Sequence, residues 1–309
     1  MRRPLFHLCA SVFVCGLVSG CIPRRDVTAN RPKPYYGETL PMAAVVEKIN
    51  ANNSRLPTLR ARIDDFEAVY FDEENRRHEE VFSGLLMYRA PRDVLVTGGK
   101  GPRPRVLEIG SNQDNYWFAI RGVDPNTAWL GRYKYLGQKC VESIPVRPDL
   151  VVEVLGISTI NPDFNQLPVP VMRFNHGADA YMFVWNKRSE QNDRWIAVKE
   201  VWYDRLTLRP KAVILFDENG RVTLEAMLAK PIPVETPNTD RAHWPTIASE
   251  YRLFFPGPDA AAGGSRLLLR LSDPALKYKG LPNDGTFRFN PQAGDGVGKV
   301  TQLDEACGP

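Results

Sequence analysis

Apolar positions follow a helical period once and a strand period many times. Met42, Val45, Val46 and Ile49 fall at i, i+3, i+4 and i+7, one face of a helix. Pro41 suits its first turn, and the polar run from Asn50 to Ser54 stops it. From Ile63 the pattern changes to short apolar runs broken by turn residues, the signature of strands. In "VFSGLLMYRAP", Val81, Leu85 and Met87 share one face while Phe82, Leu86 and Tyr88 share the other, so both faces want cover. "DVLVTGG", "RVLEIG", "NYWFAI" and "NTAWLGRYKYLG" predict further strands. "VRPDLVVEVLG" predicts a short helix stopped by Gly156, and the Pro-containing stretch 157–179 reads as loop. A meander follows: "AYMFVWNK", "RWIAVKEVWYD", "LTLRPKAVILF", "RVTLEAMLA", "TIASEYRLFFP", "SRLLLRLSD" and a closing "GTFRFNP". Asn219-Gly220 marks a tight hairpin, after which Val222, Leu224, Ala226 and Leu228 alternate with more polar neighbours. About eleven or twelve antiparallel strands with one or two helices predict a mostly β (α+β) chain built on one large curved sheet or barrel. Along "RWIAVKEVWYD", Trp195, Ala197, Val201 and Tyr203 share one face and Ile196, Val198 and Trp202 the other; alternation alone does not tell which is concave.

The N-terminus changes the picture. Arg2 and Arg3 precede an apolar run from Leu5 to Val18, shorter than the roughly 20 residues that cross a bilayer. Positive start, short apolar run and small residues before a break describe a secretory signal peptide. Leu17-Val18-Ser19-Gly20-Cys21 is similar to the lipobox of bacterial lipoproteins, with Val18 where leucine is usual. That likeness implies removal of residues 1–20 and lipidation of Cys21; an ordinary signal peptide cut nearby is the alternative. Each buried methylene of an anchor contributes about 0.8 kcal/mol, so two or three chains hold firmly. Ile22, rather than Asp, after the cysteine favours the outer membrane. Residues 21–38 hold three prolines and four Arg or Lys without an apolar period, the composition of a flexible tether. The chain then divides into a β domain, 39–292, and a C-terminal tail, 293–309.

Charge and chemistry exclude more than they assign. The net charge of +4 falls by two with Arg2 and Arg3, and no segment carries a dense basic run, so nucleic acid is not a partner. Of five cysteines, Cys9 and Cys15 leave with the signal, and an exported compartment allows Cys140 and Cys307 to pair. No metal spacing is present, and no cofactor fingerprint. His78, His176 and His243 stand beside no nucleophile motif, and no Gly-x-Ser-x-Gly elbow occurs. Asp217 and Asn219 sit in a turn that lacks the rest of a calcium loop. The chain reads as non-enzymatic and monomeric.

The helix "MAAVVEKINANNSRLPTLRARI" and the segments "SGLLMYRAPRDVLVTGG", "GSNQDNYWFAI", "YDRLTLRPKAVILFDENGRV" and "LKYKGLPNDGTFRFNP" together resemble the LolA/LolB-like lipoprotein-carrier family over roughly residues 40–292. The resemblance implies an unclosed half-barrel around an apolar cavity, with helices over the opening as a lid. It implies acyl chains of lipids or lipoproteins as ligands, and places the chain at the outer membrane facing the periplasm, tethered through Cys21. Val45, Val46, Ile49, Trp117, Trp129, Trp195 and Trp202 are then candidates for cavity or lid. The loop Gly98–Arg105 brings Lys100, Arg103 and Arg105 as a candidate surface for anionic headgroups, each worth about 1 kcal/mol near such a surface. A second function stays open: a scaffolding lipoprotein whose interior is filled by its own side chains and which holds a protein partner.

Overall fold

Two meanders meet at one seam. A computed structural model describes residues 34–71, 77–122, 126–136, 138, 140–141, 148–189, 192–256, 264–276, 283 and 285–308. The proposed signal peptide and Cys21 lie outside the described residues. Helix α1 (Met42–Asn53) precedes the first meander: β1 (Thr58–Phe71), β2 (Arg77–Arg89), β3 (Asp93–Lys100), β4 (Arg103–Ser111), β5 (Asn115–Ile120) and β6 (Thr127–Arg132). Helix α2 (Pro148–Val154) leads into the second: β7 (Val169–Asn175), β8 (Ala180–Arg188), β9 (Trp195–Asp204), β10 (Pro210–Phe216), β11 (Val222–Pro233), β12 (Thr246–Phe255) and β13 (Ser265–Ala275). Antiparallel pairing of β1 with β13 joins them, as in Phe66 opposite Leu269. Among the described residues, 14 strands form one unclosed, curved sheet in the order β14-β6-β5-β4-β3-β2-β1-β13-β12-β11-β10-β9-β8-β7.

The two strands beyond the expected count explain themselves. The stretch 157–179, expected as loop, contains β7. Pro170 lies within it, which a sheet tolerates at an edge, and β7 is the last strand on its side. Residues 293–309, expected as a tail, contribute β14 (Lys299–Gln302), which runs parallel to β6. Leu303 and Asp304 behind it are buried. Asp304 accepts hydrogen bonds from the Arg132 backbone N–H at 2.9 Å, Arg132 Nε at 3.0 Å and Gln302 Nε2 at 2.6 Å. A disulfide joins Cys140 to Cys307 across 167 positions of chain. "GTFRFNP" is not a strand; Phe287 instead packs with Leu95 and Trp117 outside the main core.

Residues 21–38 are not tether throughout. The Tyr35 N–H donates to the His176 carbonyl (3.2 Å), His176 Nδ1 lies 2.6 Å from the Tyr35 oxygen, and the Arg205 guanidinium sits 3.7 Å over the Tyr35 ring. The aromatic side chain supplies contact area that a proline-rich linker lacks.

One apolar cluster fills the space between sheet and helices. Phe82, Leu86 and Tyr88 enter it from β2, while Met87 packs on the smaller cluster behind the sheet. Leu224, Ala226 and Leu228 enter from β11, leaving Val222 and Met227 exposed. Strand β3 is buried on both faces because a cluster lies on each.

Candidate functional site

The cover over the main cluster is held by apolar contact and by a set of amide hydrogen bonds. Val45, Val46 and Ile49 of α1 are buried in the cluster, and so are Val151, Val152 and Val154 of α2 and Leu155 just beyond it. The polar run expected to stop α1 extends it to Asn53, and its amides work as fasteners. Asn50 donates to the Ile160 carbonyl (2.7 Å) and accepts from the Ile160 N–H (2.8 Å). Asn53, buried, donates to the Ser158 carbonyl at 2.9 Å. Asn52 donates to the Thr246 carbonyl (3.1 Å) and accepts from the Thr246 N–H (2.9 Å). These side chains satisfy backbone groups of 156–160 and β12 that neither helix nor sheet would serve. On the other side, Lys199 of β9 reaches Glu153 of α2 at 2.7 Å. Burial first, then the Glu153 and Asp93 charges, push the Tyr88 hydroxyl up to about 12.

Beneath the cover, side chains such as Phe66, Phe183, Tyr181 and Tyr251 take up the interior. A pocket of about 250 Å³ opens beside them, at the end where Gly156 ends the α2 segment. Its apolar wall is Leu155, Ile157, Leu228, Ile247 and Ala248. Its polar wall includes Asn53, Thr246 and, from the β9–β10 turn, Asp204, Thr207, Arg209 and Lys211. Gly156 has φ +67°, and a Cβ there would stand 2.8 Å from Pro210 Cγ, so the residue lets the chain turn tightly against the wall. The volume is near the lower end of small-ligand pockets, about 300 Å³. It suits one alkyl segment, not several full acyl chains.

The structure brings together only some of the candidate residues. Val45, Val46 and Ile49 lie under the cover, and Trp129 packs against the same cluster, stacked on Phe118 at 5.5 Å between ring centroids. Trp117 is fully buried on the opposite face, its Nε1 donating to Glu108 at 2.7 Å, so it lines no interior cavity. Trp195 is 56% exposed, with the Arg188 guanidinium 5.3 Å over its ring. The reason is a bulge: Trp185 pairs with Lys199 but Asn186 pairs with Ala197, so Val198 is an extra residue and the alternation changes face there. The grouping of Trp195 and Ala197 with Val201 and Tyr203 fails for that reason, and Val198 joins the core. Trp202 stands between the buried Val201 and Tyr203 and so faces away, its Nε1 bonded to Glu200.

The basic loop is also different from its expected form. Lys100 ends β3 and Arg103 begins β4, leaving a two-residue turn. Lys100 meets Glu80 at 2.6 Å, Arg103 lies 3.5 Å from Asp295, and Arg105 lies 3.4 Å from Glu108. Each of the three faces a carboxylate, although Arg105 shares Glu108 with Arg121, so the loop does not present three free cations. Asn50, Asn52, Asn53, Arg209 and Thr246 were not among the sequence candidates. An Asn-rich last turn is the one signal that could have marked the fasteners; Arg209 reads as an ordinary turn residue.

Among the described residues, no helix is long and apolar enough to cross a membrane, and no group of three His, Cys, Asp or Glu could hold a metal. The class defined by fold and site is an open, curved single-sheet protein with a helical cover and a small amphipathic pocket beside it. No family model and no curated protein matches the chain. Solved structures do resemble it, including LolA-like ones. A LolA superfamily protein from Nitrosomonas europaea is 12% identical, with TM-score 0.47 over 81% of this chain and 99% of its own. A putative outer membrane lipoprotein-sorting protein domain from Vibrio parahaemolyticus is 12% identical, with TM-score 0.48 over 80% and 95%. A DUF1329 family protein from Desulfovibrio piger is 9% identical, with TM-score 0.48 over 81% and 98%. The likeness concerns the fold, and the site is argued from this chain's own residues.

Proposed function

We propose that this chain is a non-enzymatic lipoprotein of the cell envelope, tethered through lipidated Cys21 at the outer membrane, that binds an acyl chain of a lipid or lipoprotein beneath its helical cover and so serves lipid or lipoprotein transport. The observation that carries the reading is the pocket beside Gly156, apolar on the side of the core and polar at its rim, next to a cover fastened by exchangeable amide bonds. At about 30 Å³ per group the volume accepts roughly eight methylenes, a gross gain of about 6 kcal/mol before ordering costs. A longer chain needs the Asn fasteners to part. The scaffolding reading is supported by one observation too: side chains already fill most of the interior.

Native mass spectrometry of the purified protein separates the two. Bound lipid, or uptake of a fluorescent fatty acid, is the expected result. A chain that is repeatedly empty and takes up no fatty acid leaves only the scaffold. The tether has its own test: Cys21→Ser is expected to move the protein out of the membrane fraction, and retention there would refute lipidation.

A further inference from the structure

The pocket's polar wall carries charge that nothing beside it neutralises. The turn from Asp204 to Arg209 is built around the Asp204 carboxylate, whose Oδ1 accepts from the N–H groups of Leu206 (3.2 Å) and Thr207 (2.9 Å) and from Thr207 Oγ1 (3.0 Å). Arg205 is matched with Asp179 at 2.6 Å. Lys211 donates to the Ala178 carbonyl at 3.1 Å and lies 3.7 Å from Asp204 Oδ2. Arg209 is different. Its guanidinium is half-buried and has no hydrogen-bond or ion partner among the described residues. Partial burial holds its pKa below the usual arginine value. Thr246 adds a second unpaired group, since its Oγ1 is buried without a partner on the same pocket wall. Buried polar atoms are ordinarily satisfied, so an unsatisfied hydroxyl next to a half-buried guanidinium without an ion partner points to a ligand that engages both.

We propose that this pocket selects an oxyanion carried on an alkyl chain: a carboxylate or phosphate bonded by the Arg209 guanidinium and the Thr246 hydroxyl, with the chain against Leu155, Ile157, Leu228 and Ile247. This rests on the acyl-binding reading and adds the headgroup class to it. A guanidinium offers a planar fork to either oxyanion, and a hydroxyl supplies the third donor. Lys211, 3.7 Å from Asp204 Oδ2, offsets that carboxylate's negative charge on the same wall. The Thr246 backbone is also the anchor for Asn52 of α1, so an anion on its hydroxyl sits beside one fastener of the cover.

The test is calorimetric titration of the full chain carrying Cys21→Ser with decanoate, decyl phosphate, decanol and inorganic phosphate, each below its aggregation limit. Both anionic amphiphiles are expected to bind about tenfold or more tighter than decanol. Arg209→Met is expected to abolish that preference, so that the anionic amphiphiles bind no tighter than decanol does to the same variant, Arg209→Lys to keep part of it, and the isosteric Thr246→Val to reduce it several-fold. Equal binding of all three amphiphiles overturns the headgroup assignment and leaves the acyl reading intact. Failure of all three to bind overturns both. Inorganic phosphate binding as tightly as decyl phosphate overturns the amphiphile in favour of a free-anion site. If Arg209→Met lowers the unfolding midpoint, Thr246→Val carries the decision.

Discussion

Arg121 is the residue whose loss has the clearest calculable cost. It is 0% exposed, at the end of β5 on the face away from the helices. Its Nη2 reaches Glu108 Oε2 at 3.1 Å and the Asn290 carbonyl at 3.0 Å, and its Nη1 reaches the Pro291 carbonyl at 3.2 Å. The guanidinium therefore neutralises a buried acid and ties the 290–291 segment to the sheet. In Arg121→Met, Glu108 keeps the Trp117 indole N–H at 2.7 Å and the partly exposed Arg105 at 3.4 Å. Those contacts place the cost of stranding the charge near the low end of the range for a broken buried pair, about 3 kcal/mol. Two carbonyls losing their donors add about 1 kcal/mol between them, for a total of about 4. That is a large share of a typical stability of about 5–15 kcal/mol. Glu108→Gln together with Arg121→Met removes the stranded charge, keeps an acceptor for Trp117, and is expected to cost about 2 kcal/mol less than Arg121→Met alone. Equilibrium urea unfolding followed by tryptophan fluorescence compares both variants with the wild type. A cost below about 1 kcal/mol for Arg121→Met, or a double variant less stable than the single, would refute the assignment.

The other predictions concern the C-terminal segment and the packing around Trp117. Cys140→Ser, Cys307→Ser or reduction removes a cross-link over 167 positions, for which chain entropy gives up to about 5 kcal/mol; a thermal melt with and without reductant is expected to show a lower midpoint only in the oxidised-to-reduced comparison of the wild type. Burial alone would push the Asp304 carboxyl up, but hydrogen bonds from the Arg132 side chain, Gln302 and the Arg132 backbone outweigh it and hold it below the usual carboxylate value. Its stabilising contribution is then full above the unfolded value of about 3.9 and is lost as pH falls through the lower folded value, so hydrogen-exchange protection factors near β14, corrected for the intrinsic rate at each pH, should fall in acid, less so in Asp304→Asn. At Gly110 a Cβ would lie 2.1 Å from the Trp117 ring, so Gly110→Ala is expected to cost about 1–3 kcal/mol and to shift the tryptophan emission; an unchanged spectrum and midpoint would contradict that packing.

Local periods foretold most of this fold, and long-range partners supplied what they missed. The face of α1 could be read directly, because Val45, Val46 and Ile49 repeat at helical spacing and all three are buried. The hairpin at Asn219-Gly220 could too: Gly220 takes φ +75°, and the Asp217 N–H bonds the Arg221 carbonyl across the turn. Strand β14 could not, since four residues with little alternation become a strand only because β6 offers an open edge. The tryptophans misled because one bulge in β9 reverses the parity on which their grouping depended. Glu108 and Arg121 look like ordinary charged residues until Phe289 covers Arg121 and Phe287 packs on the neighbouring Trp117, both from more than 150 positions away. The pocket was hidden for a similar reason. Its walls come from 155–157, 204–211, 228–231 and 246–248, and no single stretch of chain carries its signature.

The seam between β1 and β13 sets an order for folding. Each meander is made of neighbouring hairpins, which close in microseconds, whereas Phe66 and Leu269 must find one another across about 200 residues. The first six strands therefore have no centre-side partner until nearly the whole polypeptide has emerged. Until then their exposed edge is open to pairing with other chains. Dependence on a partner made so late leaves the β1 edge the part of the sheet most open to mispairing until β13 arrives.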